Sequence, residues 1–428
     1  MNEDIQETRL DNGLVVLTDR MPGVRSVTLG FFYRTGARHE PAELNGITHF
    51  IEHTVFKGTA ERSTLDIAIA LDRLGGTLDA FTTHEETGFV LKVIDDQLDT
   101  AFDLLADMLE NPRFEEQDLI NEQHVIIEEM KMIDDNPEEL LGEIFQREFF
   151  AGDPLGLSIP GTPETVKTFD HDRTREYHEK HFTPANLVIA AAGNLDNDRM
   201  CLLAQSLAKN QPVRETPPPV LSQAGSSGPA TTPAFIVKHR ADLEQAHLLI
   251  ATRFVAAPDD RRYAADLLAT ILGGGTSSRL WQKIREERGL AYSVGAGAVM
   301  YQDVGNFSVA AATSPEQTRE VVDLSIAEMR DVVRNGVTAD ELELAKQQSR
   351  ASILLSLEDS ASRAGTLAQS EMTHGRQISV DETIDSINAV TLDDCQAIAI
   401  EFFQTDRIAF AAIGDIKSDT LTRDDLTL

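Results

Sequence analysis

His49, Glu52 and His53 fall within five residues of the segment NGITHFIEHTVFKGT (45–59). On a helix, residues four apart share a face, so the imidazoles of His49 and His53 can reach one ion. Glu52, three after His49 and one before His53, is near enough to address a metal-bound water without being a ligand. A catalytic zinc needs three protein ligands and an open water position. Two histidines therefore leave one ligand to be supplied elsewhere. H-x-x-E-H thus suits a metal site with a base beside it, although three fixed positions in five also arise by chance.

The segment EEQDLINEQHVIIEEMKMIDD (115–135) has helical apolar spacing and a supply of acids. Glu122 and Glu129 are seven apart, two helical turns, and so share a face. A helix packed behind the first can present Glu129 as third ligand with Glu122 beside it. Spacing alone does not choose between Glu128 and Glu129. His124 points away from the Glu122–Glu129 stripe and reads as non-ligating.

The elements that must hold these residues occur twice. SVTLGFFYRTGA (26–37) and AHLLIATRFVAA (246–257) are strand candidates 220 residues apart. NLVIAAAGNLD (186–196) and RIAFAAIGDIK (407–417) are apolar strands closed by Gly193 and Gly414, 221 apart, and GFVLKVI (88–94) and GNFSVAAA (305–312) differ by 217. Each match is weak, but three in one order at nearly one offset point to a repeated unit. Helix candidates at 99–111 and 115–135 are answered in order by 315–336 and 339–359. The Pro-, Ser- and Gly-rich stretch 211–233 reads as a linker. The expectation is an α+β fold of two homologous domains, 1–210 and 234–428, each a mostly antiparallel sheet covered by helices on one side. At 428 residues more than one domain is expected in any case.

Composition narrows the function classes. A net charge of -33, with no concentrated basic patch, argues against a nucleic-acid partner. No run of eighteen apolar residues predicts a membrane span. The opening MNEDIQETRL has three acids and no apolar core, so neither a secretory nor a transit peptide is expected. Two cysteines, Cys201 and Cys395, make neither a disulfide framework nor a thiolate metal site, and a reducing cytoplasm is the simplest compartment.

Over 10–415 the chain resembles the pitrilysin-like, inverted-motif zinc peptidase family (M16), most closely bacterial homologues of the mitochondrial processing peptidase beta subunit. NGITHFIEHTVFKGT matches the family's metal helix throughout. The resemblance selects Glu129 as ligand and Glu122 as its supporting acid, with the expected 76 residues between His53 and Glu129. LGGTLDAFTTHEETGF (74–89) resembles the substrate strand, placing Asp79, Ala80 and Phe81 against the peptide; Asp79 stands where Asn is usual. Glu85 matches an acid behind the zinc histidines. In SSRLWQKIREERGLAYSV (277–294), Arg285 and Tyr292 match the pair that contacts substrate carbonyl and transition state.

The resemblance implies an N-terminal catalytic domain holding one zinc ion per chain, and a C-terminal domain that binds substrate. DLLATILGGG (266–275), at the repeat position of the metal helix, lacks His and Glu. It also implies a clamshell around a chamber, Glu52 as general base, and extended or unfolded peptides as substrates. Some relatives divide the metal site and the Arg–Tyr pair between two chains. Both sets are present here, which favours a self-sufficient homodimer over a partner-dependent processing subunit. A non-catalytic structural paralogue would lack the ligands.

Overall fold

Six strands form the first sheet: β1 (Ile5–Arg9), β2 (Val15–Arg20), β3 (Ser26–Tyr33), β4 (Thr77–Thr82), β5 (Thr87–Ile94) and β6 (Leu187–Gly193). Their order is β1-β2-β6-β3-β5-β4, and only β2 and β6 run parallel. Five form the second: β7 (Phe235–His239), β8 (Ala246–Phe254), β9 (Ala291–Met300), β10 (Gly305–Thr313) and β11 (Ala409–Gly414). Their order, β7-β11-β8-β10-β9, repeats that of β2 to β4, again with one parallel pair, β7 with β11. This is a computed structural model, and it describes residues 4–209, 228–417 and 420–428. Most of the expected linker, 211–227, lies outside the described residues.

The two α+β domains expected from the repeat are therefore present as sheets of one topology. Along β6 every residue is buried, which demands cover on both faces. Leu187, Ile189 and Ala191 point into one core, shared with α1 (Ile47–Thr54), α2 (Thr64–Leu74), α3 (Leu98–Glu110) and α4 (Glu116–Asp135). Val188 and Ala190 point the other way and meet Leu367, Ala368 and Met372 of the helix Ser360–His374. β11 behaves alike. Phe410 and Ala412 face one core. Ala409, Ala411 and Ile413 face Leu141, Ile144 and Phe145 of α5 (Pro137–Phe149).

Two expectations change here. Helices lie on both faces of each sheet, not on one. Nor are the compact units contiguous halves: one comprises the described residues of Met1–Lys131, Leu157–Leu221 and Leu354–Ser379, the other those of Met132–Gly156, Ser222–Ile353 and Val380–Leu428. Each sheet takes a helix from the other half of the sequence. The helix Ser360–His374 is fastened to the first sheet by polar contacts as well. Arg363 pairs with Asp19 at 2.5 Å, both side chains being buried. Glu371 accepts from Arg9 at 2.7 Å and from Arg34 at 2.9 Å. Taking the Arg363–Asp19 pair out of water costs much of what its attraction returns, so this pair is weak evidence for stability.

Candidate metal centre

The helix α1 divides its faces by chemistry. Ile47, Phe50 and Ile51 enter the core, leaving His49, Glu52 and His53 on the opposite side. Its first N–H groups find no cap in Gly46. Glu40 supplies it from outside: one carboxylate oxygen accepts from the Gly46 N–H and the other from the Thr48 N–H, both at 2.7 Å. Burial pushes the Glu40 carboxyl up to about 7, against these donors, which favour its anion. Gly46 itself has φ +96°, and a Cβ there would lie 2.5 Å from the Pro160 carbonyl oxygen. Gly46→Ala combines left-handed strain with a backbone clash, and we expect it to cost about 2 kcal/mol or more. A lower urea midpoint, with weakened zinc binding, is the readout.

His49, His53 and Glu129 each offer one ligand atom, and these atoms lie within 4.8 Å of one another. Glu129 Oε2 is 3.9 Å from His49 Nε2 and 3.6 Å from His53 Nε2. Tetrahedral ligands at about 2.0–2.1 Å from zinc stand about 3.3 Å apart, so around an ion the Glu129 oxygen would close by about 0.3 Å on His53 and about 0.6 Å on His49. Burial, then the neighbouring His53, hold the His49 imidazole down to about 3. It is neutral and keeps a lone pair, as a ligand must. Two imidazoles and a carboxylate are a donor set suited to catalytic zinc.

Supporting contacts surround the three. Glu122, 5% exposed, lies between His53 Nδ1 at 3.3 Å and Lys57 Nζ at 2.6 Å. A carboxylate on Nδ1 turns Nε2 toward the ion position and fixes the tautomer. Burial raises the proton affinity of Glu122, and the His53 and Lys57 contacts more than reverse this. Glu52 is buried, and its carboxylate accepts from Thr82 Oγ1 at 2.8 Å. Burial holds the Glu52 carboxyl above the usual carboxylate range; Glu129 and Asp79 add to this, and Thr82 and His53 oppose it.

β4, which carries Asp79, Ala80 and Phe81, is the edge strand of its sheet and pairs only with β5 among the described residues. Ala80 packs toward the α1 side; Phe81 packs on the other face, near Phe32. Glu85 sits in the β4–β5 turn, paired with Arg38 at 2.5 Å. In the second unit, the Arg285 guanidinium carbon lies 5.0 Å from the Tyr292 ring centre, and Tyr292 is 78% exposed at the start of edge strand β9. The helix Arg262–Gly273 follows β8 as α1 follows β3, and it carries no histidine.

Comparison with known proteins fits this geometry. A family model described as Insulinase (Peptidase family M16) matches residues 15–163, and one described as Peptidase M16 inactive domain matches 168–349. The chain belongs to peptidase family M16. An uncharacterised zinc protease of Streptomyces coelicolor is 36% identical over 98% of this chain and 91% of its own. One of Bacillus subtilis is 33% identical over 94% and 96%. An M16 inactive-domain structure from Pseudomonas fluorescens shares the fold, with a TM-score of 0.89 at 19% identity over 98% of this chain and 100% of its own. The M16 motif reading passed over Glu40, Lys57 and Thr82. Lys57 had a signal, lying one helical turn beyond His53; Glu40 and Thr82 had none, since only folding brings them to α1. Among the described residues, no helix is long and apolar enough to cross a membrane.

Proposed function

We propose that this chain is a zinc-dependent endopeptidase that hydrolyses extended or unfolded peptides in a chamber closed by its two domains. The observation that carries the reading is the convergence of His49, His53 and Glu129 beside the buried carboxylate of Glu52. One zinc ion per chain, when bound, supplies Lewis acidity toward a carbonyl and acidifies water. Glu52 takes the proton of the attacking water and returns it to the leaving amine. Thr82 holds the Glu52 carboxylate in one orientation. Glu122 orients His53 and is itself held by Lys57. Glu85, held by Arg38 in the β4–β5 turn, is the acid we assign behind the histidines by family resemblance alone.

A peptide adds to the free edge of β4 at Asp79, Ala80 and Phe81 by backbone hydrogen bonds. Such pairing reads side chains weakly, so selection falls to pockets and chamber size. The exposed phenol of Tyr292 donates to the developing oxyanion, and Arg285 offers its fork of N–H donors to the substrate backbone. Within the family we place the chain with the bacterial homologues of the processing peptidase beta subunit, acting as a homodimer of self-sufficient chains. The unpaired Cys201 and Cys395 suit a reducing cytoplasm.

The test is the purified chain on a quenched peptide library, with metal content measured in parallel. Chelation should abolish cleavage, and one equivalent of zinc should restore it. A fully zinc-loaded chain that cleaves nothing by itself would overturn the self-sufficient reading and turn attention to a partner chain.

A further inference from the structure

We infer that Trp281 is a positioning residue for Arg285, keeping its guanidinium stacked and out of reach of the chain's own acids; the inference rests on the substrate role proposed for Arg285. The chain holds 71 acidic against 38 basic residues. Many of its arginines are drawn into ion pairs, as at Arg62 with Asp103 and at Arg279 with Asp331 and Glu341. Arg285 differs. Its guanidinium carbon lies 4.0 Å from the Trp281 ring centre and 5.0 Å from that of Tyr292. Among the described residues it forms no ion pair.

The cause lies in the sequence WQKIRE. Trp281 is one helical turn before Arg285, and the nearest acid, Glu286, is one residue after it. The indole N–H donates to Glu286 Oε1 at 3.0 Å. One side chain therefore does two things: it covers a face of the guanidinium and it engages the carboxylate next to Arg285 in sequence. The indole also packs against the core of the second unit, which gives the stack a firm base. A guanidinium stacked on rings keeps its in-plane N–H edge for a carbonyl or carboxylate. Tyr292, the second ring beside it, is exposed, and Arg285 itself is half-buried.

The experiment is a double-mutant cycle on the full-length zinc-loaded chain, reading kcat, KM and melting temperature. Trp281→Leu should lower kcat/KM about tenfold at a temperature where its melting curve shows it folded, while Trp281→Phe, which keeps a ring, stays within about threefold. In an Arg285→Ala background Trp281→Leu should cost nothing further, because its effect runs through Arg285. Equal losses in both backgrounds, or no loss with Leu, would overturn the proposal. If the chain cleaves no peptide by itself, the self-sufficient reading fails independently of this proposal. The same cycle is then read as the dissociation constant of a labelled peptide, with the same criteria. Trp281 is the sole tryptophan, so its emission gives a measure that a folding defect in the variants cannot disturb. In the unmutated chain, added peptide should shift that emission, and an unshifted signal at saturation would also count against the proposal.

Discussion

Glu52→Gln should lower kcat/KM by about 10²- to 10⁴-fold while zinc content stays near one per chain. Glutamine has the shape of the side chain it replaces. Its amide oxygen can still accept from Thr82 Oγ1, which now bonds the carboxylate at 2.8 Å. What the amide cannot do is take a proton from water and pass it to a leaving amine. The three candidate ligands are untouched, so metal analysis separates loss of the base from loss of the site. Removing a buried carboxylate should also leave the fold intact or slightly firmer, since burial works against its charge. Hydrolysis surviving at more than about a tenth of the original rate would remove Glu52 from the reaction.

Glu129→Ala should weaken zinc binding about 100-fold or more and abolish cleavage with it, since changing even a supporting partner of a ligand costs 10- to 100-fold. Glu128→Ala, one residue away, should leave both within about twofold. Glu128 pairs with Lys131 on the helix surface with its side chain 69% exposed, and an exposed pair contributes at most about 1 kcal/mol. Glu129 has no such substitute. It is the only acid within 4 Å of both imidazoles among the described residues. Zinc titration of the two variants decides the matter, and equal zinc affinity in both would displace Glu129 from the site.

That choice shows what the sequence carried and what it did not. Spacing put His49 with His53 on one face and Glu122 with Glu129 on another, and those four come together in the fold. Spacing could not separate Glu128 from Glu129, because the difference is which neighbour each meets. Thr82 was silent for the same reason, and the place of Lys57 one turn beyond His53 did not say which acid it would meet. Lys57 reaches Glu122 and Thr82 reaches Glu52, across 65 and 30 residues of chain. The repeat was legible because strands at a constant offset keep their order. The helix exchange was not, since adjacency in sequence does not say which sheet a helix covers. Its trace was the pair of wholly apolar strands, LVIAAAG and AFAAIG. A strand with one wet face alternates, and these do not.

The exchanged helices bear on how the chain is made. The first sheet has all its strands once Gly193 has left the ribosome, yet the helix that lines its second face begins only at Ser360. Until then Val15, Leu17 and Val188 look out on water or on whatever a cell keeps for nascent chains with bare apolar surface. Severed at the linker, the two fragments would each lack a helix held by the other, and each would be the reagent that completes its counterpart.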